Sequence, residues 1–466
     1  MIDELHEECG IMGIFNGDNI VRNLATGLYA LQHRGQESAG IAATNGEKVR
    51  VSKSMGLVAD LVEMGKLEDI AENCFAAVGH VRYSTTGSRT LANAQPMLVS
   101  CKWGYLAVAH NGNITNAHEL RAEMEANGHI FQSTSDSEVL LHEISRTKAD
   151  NPAEAIRTAV QKFKGSFCLI FLTIDSMYVI RDGFGFRPLC FGKKNNSWVF
   201  ASESCAFDLL GVDYLRDVQP GEFLSINKNG IHQEQLIKKS RKAYCIFEFV
   251  YFARPDSRIF GQSADKVRRK MGKKLAEESP VDADIIIPCP DSSTTAALGY
   301  SHESGICFEI GLLRNHYVGR TFIDPAAQNI REQKVKLKFN TISGVLKDKK
   351  VCLVDDSIVR GTTLKIICKM LREAGAKEVH IRIASPPVRF PCCFGMDFPS
   401  PAELVANALG TGEVAKMLGV ESLHYLSVKG MRECTGAPDD FCGACFDEIY
   451  PEEFSNTAKN RCGEVL

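Results

Sequence analysis

Val351-Cys-Leu-Val-Asp-Asp-Ser-Ile-Val-Arg-Gly-Thr-Thr363 is the stretch whose reading decides the fold. Four apolar residues, Val351 to Val354, run directly into the carboxylates Asp355 and Asp356. A small polar loop ending in Gly361 and two threonines follows, and then Leu364, Ile367, Cys368 and Leu371 recur at helical spacing. Gly375 suits the end of that helix. Glu378 to Ser385 reads as a second strand, with Val379, Ile381 and Ile383 on one face. Strand, loop, helix and strand make a βαβ unit, and ligands of such sheets sit beyond the carboxyl ends of the strands. The loop lies there. The backbone N–H groups of Ile358, Val359, Arg360, Gly361, Thr362 and Thr363 open toward a helix N-terminus, a natural phosphate cradle. The hydroxyls of Ser357, Thr362 and Thr363 add donors. Asp355 and Asp356 repel a phosphate, but they can reach ribose hydroxyls or hold a divalent ion.

Working outward, Asp284 to Leu298 is a second strand, loop and helix. Its turn, Asp291, Ser292, Ser293, Thr294 and Thr295, is rich in hydroxyls at a helix start. Simple capping would explain it; a pyrophosphate site facing the first loop explains it better, because two such loops suit a diphosphorylated ribose. The acid pair followed by Gly-Thr-Thr resembles the phosphoribosyl pyrophosphate (PRPP) signature of type I phosphoribosyltransferases. Between the two loops, Leu313 to Lys338 is basic and poorly periodic, and is expected to be a lid bringing Arg314, Arg320 and lysines to a phosphate-rich substrate.

At 466 residues the chain exceeds one ordinary core, so two domains are expected. Apolar content of 44% and charged content of 24% are those of a globular protein, and a net charge of −3 suggests no nucleic-acid partner. No apolar run approaches the roughly 18 residues of a membrane span. Met1 to Glu8 is acidic and short, unlike a secretory leader. The 17 cysteines are scattered and odd in number, which fits free thiols in a reducing compartment, the cytoplasm.

The N-terminal half carries four polar clusters: Cys9 ahead of a glycine-punctuated strand; Leu31 to Ile41; Gly79-His-Val-Arg-Tyr-Ser-Thr-Thr-Gly87; and Ala107 to Thr115 with its Asn111-Gly112 turn. Helices are expected from Ile20 to Ala30, from a capping box of Asn116 and Glu119 to Ala126, from Ser135-Asp136-Ser137-Glu138 to Ile144, and after Asn151-Pro152. Strands are expected at 167–173, 177–181, 189–192, 198–202 and 221–226. Strands around central helices suggest an αββα sandwich.

Cys9 with His-Val-Arg-Tyr, Asn-Gly-Asn and Ser-Asp-Ser-Glu resembles the N-terminal nucleophile class of glutamine amidotransferases, over about residues 9 to 240. The resemblance implies that residues 1–8 are a propeptide, removed to leave Cys9 first. A free α-amine, with a pKa near about 8, can act as base for the adjacent thiol. By the same resemblance Cys9 attacks the glutamine amide, Asn111 and the Gly112 N–H form the oxyanion hole, Arg82 binds the α-carboxylate and Asp136 the α-ammonium. Arg82 in a surface ion pair and Asp136 as a helix N-cap are the plainer alternatives.

The charge run Lys238 to Lys242 marks the expected boundary between residues 9–240 and 241–466. Tyr244 to Asp256 reads as a buried strand into a turn, and Ser263 to Glu278 as a basic amphipathic helix with Val267, Met271 and Leu275 inward. Near the end, Cys442-Gly-Ala-Cys445 is a Cys-x-x-Cys, open to zinc, a redox pair or coincidence. With Cys245 and Cys392 it makes four thiolates, a set that suits zinc or an iron–sulfur cluster.

Taken together, the chain resembles the amidophosphoribosyltransferase family over nearly its full length. The resemblance implies an α/β two-domain fold: an αββα glutaminase followed by a phosphoribosyltransferase domain with a mainly parallel sheet. It implies Mg²⁺ at Ser293, Asp355 and Asp356, and a 5-phosphate in the Ser357–Thr363 loop. It implies a [4Fe–4S] cluster on Cys245, Cys392, Cys442 and Cys445, with Cys393 a rival to Cys392 and Cys434 and Cys462 weaker alternatives. It also implies purine-nucleotide feedback, a homotetramer and an enclosed ammonia path. Two rivals stand beside it. Another glutamine amidotransferase is opposed by the Asp355-Asp356 loop. A non-catalytic PRPP or nucleotide sensor is opposed by the intact Cys9, Arg82, Asn111 and Asp136 set.

Overall fold

Strand Gly10–Phe15 shows how the first half is built. Its side chains alternate: Met12 and Ile14 join an apolar cluster on one face, and Ile11 and Phe15 join another on the opposite face. The computed structural model describes residues 9–63, 65, 67–83, 90–315, 330–396, 398 and 401–452. The expected propeptide, Ser84 to Gly87, the Arg320 part of the basic loop and Cys462 lie outside them.

Gly10–Phe15 sits inside a seven-stranded sheet, hydrogen-bonded to Ser197–Ala201 on one side and Ala76–Arg82 on the other. A six-stranded sheet, which includes Gly104–Ile114, Gly165–Leu172 and Met177–Arg181, packs against it. Ile11, Phe15, Ala42 and Val78 of one sheet meet Ala109, Cys168, Ile170 and Leu224 of the other in a shared core. Helix Ile20–Ala30 covers the outer face of the first sheet, and Ala117–Ala126, Asp136–Arg146 and Pro152–Val160 cover that of the second. This is the expected αββα sandwich.

Strands Ile285–Pro288, Lys350–Asp355, Glu378–Ile383 and Ser422–Tyr425 form, in that order, an all-parallel sheet. Helix Thr362–Glu373 packs on one face through Leu364, Ile367 and Leu371. Helices Ala264–Glu278 and Thr294–Ser304 pack on the other. Those two helices touch backbone to backbone. A Cβ on Gly272 would stand 1.8 Å from the Ala296 carbonyl oxygen, and one on Gly299 would stand 2.1 Å from that of Arg269. The chain therefore has a two-domain α/β fold.

Two local expectations are corrected. Tyr244 to Asp256 is not one strand: Tyr244–Cys245 pairs in parallel with Phe441–Cys442, and Glu248–Phe252 then coils into a π-helical turn. Ile246, Phe247, Phe249, Val250 and Phe252 are all buried, and a fully apolar run gives no periodicity to separate strand from helix. The Asn116 capping box is not made. The Asn116 amide instead donates to the Lys162 carbonyl at 3.0 Å and accepts from the Lys164 N–H at 3.0 Å, tying two loops together.

Candidate active site

Cys9 is nearly buried just ahead of strand Gly10–Phe15, its thiol 3.4 Å from the Tyr83 carbonyl oxygen. Gly10 lies opposite Val81 in the sheet, which sets Arg82 at the same end as Cys9. Ser202 joins this end to the second sheet: its hydroxyl accepts from the Ile11 N–H at 3.0 Å and from the Asn111 amide at 3.5 Å. Sequence reasoning gave Ser202 no role; it ends an expected strand, and only the stacking of the sheets reveals it. Gly112 has φ +148°, and a Cβ there would lie 2.2 Å from the Ser166 carbonyl oxygen, so the position requires glycine.

Arg82 is not at the surface. It forms a buried ion pair with Glu37. Asp136 is not the helix N-cap either: Ser135 caps, accepting from the Ser137 N–H, while Asp136 takes the first helical position and accepts from the Ile114 N–H at 3.0 Å. Burial opposes its charge, but the nearby His110, that N–H and Ser137 hold its pKa below the ordinary value. A carboxylate kept ionised beside the Asn111–Gly112 turn can receive an ammonium group.

Beneath Cys9 lies a buried charge network. Arg34 donates from Nε to the Cys9 carbonyl oxygen at 3.2 Å and through its terminal nitrogens to Glu203 at 2.5 Å and Glu248 at 2.7 Å. Glu203 also accepts from the Ser257 hydroxyl at 2.6 Å and the Arg254 N–H at 2.9 Å, and pairs with His33 Nε2 at 2.7 Å. Burial works against ionisation of Glu203, yet the charges of His33 and Arg34 keep its pKa depressed. His33 and Arg254 in turn line a cavity of the other half.

That cavity, about 350 Å³, lies at the carboxyl ends of the parallel strands and brings the two expected loops together. Asp291 and Ser292 face Asp355, Asp356, Ser357, Ile358, Val359, Arg360, Gly361 and Thr363 across it. The Ser292 hydroxyl donates to Asp356, whose other oxygen accepts from Ser357 at 2.6 Å. Arg254, Arg268, Arg314 and Lys338 supply positive charge around the acid pair. Gly361, at φ +77°, turns the chain into helix Thr362–Glu373, and Thr363 rather than Thr362 faces the cavity. Ser293 departs from expectation: it is fully buried and its hydroxyl bonds the Cys289 carbonyl, while neighbouring Ser292 reaches the acids. Asp291 pairs with Arg314 at 3.2 Å.

Burial, then the charge of Asp356, pushes Asp355 well above the carboxylate range. Burial raises Asp356 as well, opposed by hydrogen bonds from Ser292 and Ser357 and by the Arg268 charge. Two carboxyls that bind protons this readily are primed for a divalent cation, which relieves the same repulsion. The donor set fits magnesium.

The four expected cysteines lie on neighbouring segments elsewhere. Cys245 stands opposite Cys442 in the two-stranded parallel pair. The Cys445 carbonyl accepts from the N–H groups of Arg389 at 2.9 Å and Phe390 at 3.1 Å, which brings the Cys392 segment against it. Burial pushes the Cys442 thiol up to about 12, and burial with the charges of Cys392, Cys245 and Cys442 raises that of Cys445 as well. Such mutually repelling thiolates suit a cationic centre that neutralises them together. Cys393, the rival to Cys392, is buried beside it. Cys434 is packed in the core beside helix Ala264–Glu278. Among the described residues no three His, Cys, Asp or Glu side chains are gathered into a ready metal site.

Comparison with known proteins agrees with this geometry. A model of the glutamine amidotransferase domain matches residues 80–208. The chain is 44% identical over 454 residues to the amidophosphoribosyltransferase of Methanothermobacter thermautotrophicus, covering 96% of this chain and 95% of that one. It is 44% identical over 458 residues to the Bacillus subtilis amidophosphoribosyltransferase, covering 97% and 96%. Among solved structures, glutamine PRPP amidotransferase from B. subtilis complexed with ADP and GMP superposes with a TM-score of 0.91 at 43% identity, over 96% of this chain and 98% of that one. A structure described as the allosteric regulatory enzyme of purine biosynthesis gives 0.93 at 42% identity, over 98% and 99%. With 44% identity over 95% or more of both chains, the chain belongs to the amidophosphoribosyltransferase family of enzymes.

Proposed function

We propose that the chain opens purine biosynthesis by converting glutamine, water and PRPP into 5-phosphoribosylamine, glutamate and diphosphate. The observation that carries this reading is the Ser292–Asp356 hydrogen bond, which joins two phosphate-type loops across a cavity that His33 of the glutaminase sandwich also lines.

At the first site, removal of residues 1–8 frees the Cys9 α-amine, which takes the thiol proton. The thiolate attacks the amide carbon of glutamine, whose α-carboxylate and α-ammonium are held by Arg82 and Asp136. Glu37 yields Arg82 to the substrate. Asn111 and the Gly112 N–H stabilise the oxyanion. Ammonia leaves, and water releases glutamate from Cys9. At the second site the loop from Ser357 to Thr363 holds the 5-phosphate, and Asp291, Ser292 and Ser293 hold the diphosphate end. Asp355 and Asp356, with Ser293, would hold Mg²⁺, which would supply positive charge to a diphosphate leaving group. Ammonia forms the new C1–N bond as the C1–O bond to diphosphate breaks. An enclosed path delivers it.

Cys245, Cys392, Cys442 and Cys445 hold a [4Fe–4S] cluster, a staple between the start and the end of the second domain. The domains divide as 9–240 and 241–466. The enzyme works in the cytoplasm as a homotetramer and under feedback by purine nucleotides; the feedback is supported by the ADP and GMP bound to the B. subtilis relative. Among the described residues no helix is long and apolar enough to cross a membrane. The test is a coupled assay: glutamate and diphosphate release should both require PRPP and Mg²⁺ and should appear in equal amounts. Glutamate release with no diphosphate would overturn the reading.

A further inference from the structure

The oxyanion turn of the sandwich touches the cysteine-bearing segment of the other half. The Asn113 amide donates to the Cys393 carbonyl at 2.9 Å. The Ser166 hydroxyl, opposite Asn113 in the sheet, donates to the Phe394 carbonyl at 2.8 Å. The fully buried Arg187 donates to the same carbonyl at 2.8 Å from one terminal nitrogen and at 3.2 Å from Nε. Phe394 stacks on Phe186 with ring centroids 4.0 Å apart, and its N–H donates to the Cys392 thiol at 3.3 Å. Gly395 passes so close that a Cβ there would lie 3.3 Å from the Gly112 carbonyl carbon.

These bonds converge on the residue whose orientation matters most. Gly112 is pinned against Ser166 on one side and Gly395 on the other, and its N–H is useful only when aimed at the developing oxyanion. Each bond from Asn113 and Ser166 ends on a backbone carbonyl of the segment that starts at Cys392. We infer that Asn113, Ser166 and Arg187 are positioning residues for amide hydrolysis, bracing the Asn111–Gly112 turn against the Cys392–Gly395 segment. This rests on the proposed reaction and extends it. The glutaminase is held in its working geometry by the second domain, while ammonia-dependent transfer does not need the brace.

The test uses Asn113→Ala and Ser166→Ala in the full chain. Each is assayed for glutamate release, for diphosphate release from PRPP with ammonia, and for thermal unfolding. Mis-aiming an oxyanion donor costs on the order of 10–100-fold in rate. Both variants should lose that much kcat for glutamine, with KM within about twofold and the ammonia-dependent rate unchanged. The second rate is the internal control: a merely unfolded protein loses both. Unchanged kcat for glutamine, or an equal fall in the ammonia-dependent rate, overturns the inference. A wild-type chain that releases no glutamate overturns the proposed reaction along with it.

Discussion

Arg34 donates to the carbonyl oxygen of Cys9 across 3.2 Å, and the same guanidinium is held by Glu248, which follows the last strand of the sandwich. The backbone of Cys9 is thus fixed by a cation whose compensation comes partly from Glu203 of the sandwich and partly from the other domain. Breaking a buried pair by removing one partner costs about 3–5 kcal/mol, because the other charge is left uncompensated. Glu248→Ala should lower the unfolding free energy in urea by at most about that amount, because Glu203 still faces Arg34.

Cys9→Ala should abolish glutamine-dependent synthesis and leave ammonia-dependent synthesis within about twofold of wild type, as expected when the nucleophile is separate from the acceptor site. The measurement is diphosphate release with each nitrogen source. Loss of both rates would make Cys9 structural. Mass analysis of the wild-type N-terminus should find Cys9 first.

The acid pair gives a stability prediction with a definite sign. A carboxyl whose folded pKa is raised binds more protons in the native state, so its penalty is absent below about pH 4 and grows as pH rises through the raised value. Burial and mutual repulsion raise both Asp355 and Asp356. Asp355→Asn should therefore melt at a higher temperature than wild type at pH 8, and the two should converge near pH 4. Millimolar Mg²⁺ with PRPP should stabilise only the wild type, and transfer should be lost in the variant.

Helix packing can be tested at Gly272, where an added Cβ would sit 1.8 Å from the Ala296 carbonyl oxygen. Gly272→Ala favours the helix locally but forces two backbones apart. Overpacking of this kind costs about 1–3 kcal/mol, so the denaturant midpoint should fall.

Purified under anaerobic conditions, the protein should be brown, with about four irons per chain. Cys442→Ser and Cys445→Ser should lose colour and iron together, whereas Cys434→Ser should keep both. Stoichiometric zinc without colour would remove the cluster from the proposal.

Much of this was legible in sequence because local chemistry and global position agreed. The Asp355-Asp356 pair follows four apolar residues and precedes a glycine-ended loop, so its place at a strand's carboxyl end was readable without contacts. Helix Ile20–Ala30 and the Asn151 cap were readable for the same reason. What escaped depends on tertiary approach. His33 faces the phosphate cavity because the two halves meet there. Ser202 matters because two sheets stack. Ser293 and Ser292 are adjacent hydroxyls with the same local promise, and only the turn geometry sends one to Cys289 and the other to Asp356. Tyr244 to Phe252 was misread because an unbroken apolar run carries no period.

The parallel pairing of Tyr244–Cys245 with Phe441–Cys442 closes a loop of chain about two hundred residues long. Synthesis runs at about 5–20 residues per second, so the second strand leaves the ribosome some ~10–40 s after the first. Throughout that interval the sandwich is complete in sequence, yet the Cys392–Gly395 segment that touches its oxyanion turn arrives only near the end. A nascent chain therefore holds the whole sandwich before the segment that Asn113 and Ser166 bond has been made.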